Sequence, residues 1–239
     1  MRSSFHVPRK RFGQHFLHDA RVLGKIVEAI SPASGDFVVE IGPGEGALTR
    51  LLLEKTSRLE VIEIDRDLAA RLTGVKVHQA DALEFDYSIF PRGMRLVGNL
   101  PYNISTPLLF HLARFADRVR DMHFMLQLEV VERMVAAPST SEYGRLSVAL
   151  QARFGMKKLF SVSKGAFRPP PKVESAVVRL TPLSTPMNVD ENLLRRAFSA
   201  RRKTLKNALP GVDFVKLGID PKLRPENLSP ADYARISAG

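Results

Sequence analysis

The chain has 239 residues, 44% of them apolar, which suits one medium domain with a buried core, or such a domain with a small appendage. A net charge of +11 favours a polyanionic partner, and zero cysteines exclude disulfides, thiolate catalysis and thiolate metal ligation. No apolar run approaches the roughly 20 residues that span a bilayer, and the opening "MRSSFHVPRKRFGQHFL" lacks an apolar signal core, so the chain reads as cytoplasmic.

From residue 19 helix-like and strand-like segments alternate. "DARVLGKIVEAI" (19–30) has helical periodicity, "FVVEI" (37–41) is a short buried strand, "ALTRLLLEK" (47–55) a helix, "LEVIEI" (59–64) a strand and "DRDLAARL" (65–72) a helix. "VKVHQ" (75–79) and "RLVGN" (95–99) are further strands. In "STPLLFHLARF", Ser105 or Thr106 is expected to cap a helix with Pro107 in its first turn. The strand "MHFMLQ" (122–127) and the helix "EVVERMV" (129–135) follow. Strands that are apolar throughout, alternating with helices, predict an α/β fold with a parallel sheet covered on both faces. "KKLFSVS" and "SAVVRLTP" are expected to close one sheet edge, "PLSTPM" (182–187) to act as a linker, and "ENLLRRAFSARRKTLKNAL" (191–209) to begin a small helical appendage. The domain boundary therefore falls at 183/184, behind a basic arm at 1–18.

Basic residues gather at Arg9, Lys10 and Arg11, at Lys157 and Lys158, and in "RRKTLK" with Arg201, Arg202 and Lys203. Three clusters favour nucleic acid over a merely solvated basic face, and no basic amphipathic segment carries the aromatic anchors of a membrane-surface helix. His15, His18 and Asp19 have no further residues in the sequence to complete a coordination shell, so no metal site is expected. No nucleophile elbow appears that would support hydrolysis.

"VVEIGPGEGALT" places Gly42, Gly44 and Gly46 in a turn between a strand and a helix, where a ligand can approach the backbone closely. Glu63 follows at the end of the next strand, positioned for a ribose, and Asp81 in "QADAL" follows the third, beside Ala82. Asp81 suits either an adenine amino group or a helix cap. Glu40 and Glu45 flank the glycine turn; carboxylates repel a pyrophosphate and attract a cation, which favours S-adenosyl-L-methionine, a nucleoside with a sulfonium, an ammonium and no phosphate.

"GNLPYNISTP" ends the fourth strand on the same rim. There the Asn99 oxygen and a carbonyl near Leu100 or Pro101 could grip the hydrogens of an exocyclic amine and aim its lone pair at a methyl carbon, with Pro101 stiffening the turn and Tyr102 stacking on an extruded base. Phe167, ahead of the proline run in "GAFRPPPKVES", is either a second stacking ring or a core residue of an edge loop.

These motifs, with "RKRFGQHFL", "YGRLSV" and "AFSARRKTLKNAL", closely resemble the ribosomal RNA adenine N6-dimethyltransferase family over nearly the whole chain, and its bacterial small-subunit branch above all. The resemblance implies a Rossmann-like class I methyltransferase sheet with a small all-helical C-terminal domain that binds rRNA. It implies transfer of four methyl groups from S-adenosyl-L-methionine to two adjacent adenosines near the 3′ end of 16S rRNA during small-subunit maturation. The sequence leaves the oligomeric state open, with a monomer as the default expectation. Cofactor contacts carry onto Gln14, Leu17, Gly42, Glu63, Asp81 and Asn99, and base contacts onto Asn99, Leu100, Tyr102 and Phe167. Where the family usually has Asn, this chain has His15, which matters if that position acts through its side chain and changes nothing if it acts through its backbone. Two competing readings are a 23S rRNA methyltransferase, which shares the first domain, and an RNA-binding assembly factor whose catalysis is dispensable.

Overall fold

The computed structural model describes residues 13–239, so the basic triplet Arg9, Lys10 and Arg11 lies outside the described residues. Of these, residues up to 131 together with 157–180 form one compact unit, and residues 132–156 together with 181–239 form a second.

The first unit is built on a seven-stranded sheet. Its strands are β2 (Val38–Ile41), β3 (Leu59–Glu63), β4 (Lys76–Gln79), β5 (Met94–Asn99), β6 (Val119–Gln127), β7 (Phe154–Val162) and β9 (Ser175–Pro182), in the spatial order β4-β3-β2-β5-β6-β9-β7. The β4-β3-β2-β5-β6 run is parallel, and β9 adds antiparallel to β6. Every residue of β2 is buried, which requires both faces of the sheet to be covered. On one face, Leu23, Ile26 and Ile30 of α1 (Ala20–Ile30) and Leu48 and Leu52 of α2 (Ala47–Leu53) pack over strand residues such as Val97. At roughly 25 cal/mol per Å², such apolar burial is the main force holding these helices to the sheet.

The parallel order puts the strands' C-terminal ends on one rim. β2 ends at the glycine turn, β3 at Glu63 and β5 at Asn99. The ends of β2 and β5 approach so closely that a Cβ on Gly98 would overlap the Ile41 carbonyl oxygen. The α/β architecture and the strands predicted from the apolar runs are therefore present, with end residues shifted by up to three positions.

Three expectations are corrected and one element is new. The helix predicted over 65–72 is a single turn, α3 (Arg66–Ala69): Arg71 and Leu72 bond back only three residues, and Gly74 turns the chain at φ +73°. The helix α4 (Ser105–Ala113) starts without a hydroxyl cap. Ser105 is its first residue, and its Oγ donates to the Tyr102 carbonyl at 3.1 Å. The helical stretch 191–209 is broken into α7 (Glu191–Ser199) and α8 (Leu205–Ala208), with Arg201–Lys203 between them in a turn. An unpredicted two-stranded ribbon pairs β1 (Phe16–Leu17) with β8 (Phe167–Arg168), because a pairing across 150 residues leaves no local pattern.

The second unit contains the end of α5 (Leu128–Val135), α6 (Arg145–Gln151), α7, α8 and α9 (Pro230–Ala238). Its core includes three buried tyrosine and leucine anchors, Tyr143, Tyr233 and Leu194; Tyr143 Oη donates to the Leu228 carbonyl at 2.9 Å and Tyr233 Oη to the Pro225 carbonyl at 2.8 Å. The stretch read as a linker is tied down within this unit, since Leu183 N donates to the Arg153 carbonyl and Met187 N to that of Ala152.

Candidate active site

A cavity of about 280 Å³ opens in the first unit at the sheet's C-terminal rim, close to the lower end of small-molecule sites, roughly 300–1,000 Å³. It brings together Gln14, His15, Leu17, Gly42, Gly44, Glu63, Asp81, Ala82, Asn99, Leu100, Pro101 and Tyr102, residues that lie far apart in the chain.

The glycine turn holds its shape through positive φ angles at Gly42 and Gly44, +66° and +58°. At Gly44 a Cβ would also come within 2.9 Å of the Phe16 ring, so the aromatic residue can lie against the turn only because Gly44 has no side chain. Glu63 is 5% exposed, and its two oxygens accept from Gly44 N at 3.2 Å and Asp65 N at 2.9 Å. Burial raises its pKa, partly offset by those backbone donors. Asp65 in turn accepts from Gln14 Nε2 at 3.2 Å, which ties the segment before β1 to the end of β3. Asp81 Oδ1 accepts from Leu83 N at 2.9 Å, closing a turn; the cap-like role and the cavity-lining role coexist.

Beneath the glycine turn, Glu40 is 2% exposed and accepts from Thr49 Oγ1 at 2.6 Å. Burial pushes its pKa up to about 7, with the Thr49 hydrogen bond opposing and the Glu63 charge assisting. A wall carrying Glu40, Glu63 and Asp81 disfavours an anion and leaves room for a positively charged nucleoside ligand. These residues thus fit S-adenosyl-L-methionine: backbone approach at the glycines, carboxylates for hydroxyl and amine donors and, among the described residues lining the cavity, no lysine or arginine for a phosphate.

The turn after β5 lines the same cavity. Asn99 Nδ2 donates to the His15 carbonyl at 2.8 Å, and Leu100 N donates to the Met125 carbonyl at 3.1 Å. Tyr102 Oη is 2.6 Å from Ser175 Oγ, and the Tyr102 ring stacks on the His15 ring with centroids 5.5 Å apart. His15 Nδ1 donates to the Pro169 carbonyl at 2.8 Å. His15 therefore meets Asn99 through its backbone, while its side chain braces Tyr102.

Phe167 stands elsewhere. It is 2% exposed, packs in the core beside Leu17 and does not line the cavity, because the β1–β8 pairing turns it inward; the core alternative describes its position. In the second unit Arg201 is bound to Glu226 at 2.5 Å and to the Ser141 carbonyl at 2.7 Å, whereas Arg202 and Lys203 are exposed. Sequence reasoning missed Phe16, Asp65 and Ile64. None left a signal: Ile64 reads as the last residue of the predicted strand, and only the structure ends β3 at Glu63 and leaves Ile64 45% exposed.

Comparison with known proteins accounts for this arrangement. The family model described as ribosomal RNA adenine dimethylase matches residues 5–238. The chain is 58% identical to "Ribosomal RNA small subunit methyltransferase A" of Thiobacillus denitrificans, covering 98% of each protein, and 55% identical to the protein of that name from Nitrosospira multiformis, covering 97% of this chain and 96% of the other. Among solved structures it is similar to a dimethyladenosine transferase from Plasmodium falciparum, with a TM-score of 0.79 at 28% identity over 93% of this chain and 96% of that one. It is also similar to the 23S rRNA methyltransferase ErmE, with a TM-score of 0.70 at 25% identity over 92% of this chain and 97% of that one. The Rossmann-like class I methyltransferase sheet is thus shared with enzymes that methylate RNA. Glycine turn, strand-end carboxylates and the Asn99–Tyr102 turn share one cavity in a chain matched almost end to end, and the chain belongs to the ribosomal RNA adenine dimethylase family.

Proposed function

We propose that this chain dimethylates N6 of two adjacent adenosines near the 3′ end of 16S rRNA, using S-adenosyl-L-methionine, during small-subunit maturation in the cytoplasm. The observation that carries the reading is the single cavity that joins a nucleoside-type wall (Gly42, Glu63, Asp81) to an amine-gripping wall (Asn99 to Tyr102). The small-subunit target is supported by relatives of that name at more than half identity; the likeness to ErmE is weaker in both identity and TM-score and favours a 23S target less.

When bound, S-adenosyl-L-methionine supplies an electrophilic methyl carbon. The chain's own residues supply alignment. Asn99 has its amide nitrogen committed to the His15 carbonyl, which leaves its oxygen as an acceptor for an N6 hydrogen. The Pro101 carbonyl accepts from Ile104 N and the Tyr102 carbonyl from Ser105 Oγ, so among the described residues of this turn the Leu100 carbonyl is the second acceptor. Two acceptors on one planar amine restrain it with its lone pair aimed across the cavity, an effect of position and electrostatics that needs no strong base. Tyr102, anchored at Ser175 and covered on one face by His15, offers its other face to a flipped base. The unit comprising the fold's sheet carries the chemistry, and residues 184–239 serve rRNA binding, with Arg202 and Lys203 as phosphate contacts and Arg9 to Arg11 assisting; the working form is a monomer without metal.

The test is to incubate the purified protein and S-adenosyl-L-methionine with small subunits lacking the modification, then to digest the rRNA and weigh its nucleosides. N6,N6-dimethyladenosine near the 16S 3′ end supports donor, acceptor and reaction together. Unchanged adenosine with the protein bound to the subunit would favour an assembly factor instead, and modification of 23S rRNA alone would move the target.

A further inference from the structure

One buried side chain on the cavity wall has no part in the chemistry above. His123, in β6, is 2% exposed and lines the cavity, yet neither ring nitrogen has a hydrogen-bond partner among the described residues. An imidazole taken out of water without partners forfeits the bonds it made there, and buried polar groups are seldom left so. Leu23, Ile26, Met125 and Val177, which also line the cavity, are apolar, and Arg179, paired with His123 on β9, is exposed and makes no hydrogen bond to the ring.

Behind His123 the structure is firmly held. Arg95, whose side chain is 4% exposed, donates from Nε to Asp121 Oδ1 at 2.9 Å and from Nη2 to Asp121 Oδ2 at 2.8 Å. Its Nη1 donates to Asp36 Oδ2 at 2.8 Å, and its Nη2 reaches the Ile30 carbonyl. Both Asp121 oxygens are thus fixed, and Oδ1 lies 3.6 Å from His123 Nδ1, just beyond hydrogen-bond reach. That carboxylate is a partner for an N–H on Nδ1, so Nε2 is the ring nitrogen left to accept from the cavity. An acceptor in an apolar wall selects an N–H or O–H donor.

The strand order indicates which donor. Asp81 follows β4 and Glu63 ends β3, at one end of the parallel run, whereas His123 lies in β6 at the other, paired with Val97 two residues before Asn99. A nucleoside held at Asp81 and Glu63 extends its 5′ substituent past β2 and β5 toward β6. Resting on the cofactor reading above, we propose that His123 binds the amino group of the cofactor's amino-acid end, directly or through one water, with Asp121 as the positioning residue and Arg95 fixing Asp121.

The test measures binding, not turnover. The full chain is titrated calorimetrically with S-adenosylhomocysteine and with 5′-methylthioadenosine, which keeps the nucleoside and thioether but lacks the amino acid. In His123→Phe the affinity for S-adenosylhomocysteine should fall about tenfold, the worth of one hydrogen bond, while that for 5′-methylthioadenosine stays within about twofold. His123→Gln, which retains an acceptor, should recover most of the loss. Equal losses for both ligands would make His123 a purely structural residue, and no loss for either would also overturn the assignment. Should His123→Phe fail to fold, the wild-type chain labelled with ¹⁵N-histidine decides the matter: the His123 ring resonance, identified by its absence in His123→Gln, should move with S-adenosylhomocysteine and not with 5′-methylthioadenosine. Movement with both or with neither overturns the proposal. A wild-type chain that binds neither compound overturns the cofactor reading itself, and this assignment with it.

Discussion

Asn99 gives its side-chain amide nitrogen to the main-chain carbonyl of His15, 2.8 Å away, and so faces the cavity with a committed donor and an available oxygen. The contact joins the segment before β1 to the end of β5 and makes the side-chain identity at 99 matter in both directions. Asn99→Ala removes the acceptor. Asn99→Asp keeps the shape but sets a carboxylate against a carbonyl oxygen. Both should lower kcat by about 10²–10³, the range seen when one preorganised polar contact at a reacting centre is lost. Affinity for the small subunit should stay near that of the wild type in both. Methyl incorporation and subunit binding measured side by side check this, and an Asn99→Ala variant of full activity would refute the amine-grip mechanism.

Tyr102 separates ring from hydroxyl. Tyr102→Phe loses only the contact to Ser175 Oγ and should cost less than about tenfold in kcat/KM for rRNA, one neutral hydrogen bond at most. Tyr102→Ala loses the stacking face, worth roughly 1–3 kcal/mol per base, and should cost about 10- to 100-fold. Steady-state kinetics on the two variants distinguish a stacking role from a merely packed one, for which the two losses would be alike.

Glu63, Asp81 and Asn99 are legible in the sequence for a common reason. Each stands at or just beyond the end of an apolar run, and a parallel sheet gathers such ends on one rim. Phe167 is not legible in this way. An aromatic residue before a proline run reads the same whether it faces a ligand or the core, and its pairing with Leu17 across 150 residues decides the matter. Phe16 is hidden for the same reason, since only the fold shows that Gly44 makes room for its ring. The break after Ser199 is obscured by the good helix formers that follow it, and Arg201 turns toward Glu226 where helical text continues.

That turn splits the basic triplet into two kinds of residue. Arg201, bound to Glu226 and to the Ser141 carbonyl, should act on stability: Arg201→Ala should lower the thermal midpoint of the chain with little change in the salt dependence of rRNA binding. Arg202 and Lys203 are exposed and should do the reverse. Changing both to Ala should leave the midpoint within about a degree and reduce the slope of log K against log salt by about 2, near 1 per phosphate contact. Thermal melts and salt titrations of the two variants check the division.

Phe167→Ala should be chiefly a stability lesion. A Phe that is 2% exposed and packed with Leu17 in the core is expected to cost roughly 3–5 kcal/mol on truncation. Phe167→Leu, which refills most of the volume, should keep most of the stability and most of the turnover. A Phe167→Leu variant that melts like the wild type yet loses turnover would instead give the ring a role at the base.

Glu40 predicts a pH dependence that the cofactor's charge should reverse. Its pKa stands at about 7 against 4.5 for an ordinary glutamate, because burial opposes ionisation more than the Thr49 hydrogen bond favours it, and the Glu63 charge adds to the rise. A carboxyl raised in the native state stabilises that state fully below about pH 4.5, and the contribution is lost as pH climbs through about 7. The ligand-free chain should therefore lose stability over that window relative to Glu40→Gln, whose amide has no proton to give up. A cationic ligand in the same cavity favours the ionised form, so S-adenosyl-L-methionine should bind more tightly as pH rises from about 6 to 8 and release up to one proton on binding near pH 6. Calorimetry in buffers of different ionisation enthalpy measures that proton directly. Release of equal size in Glu40→Gln would assign it to another group, and no release in the wild type would mean that Glu40 is already ionised before the cation arrives.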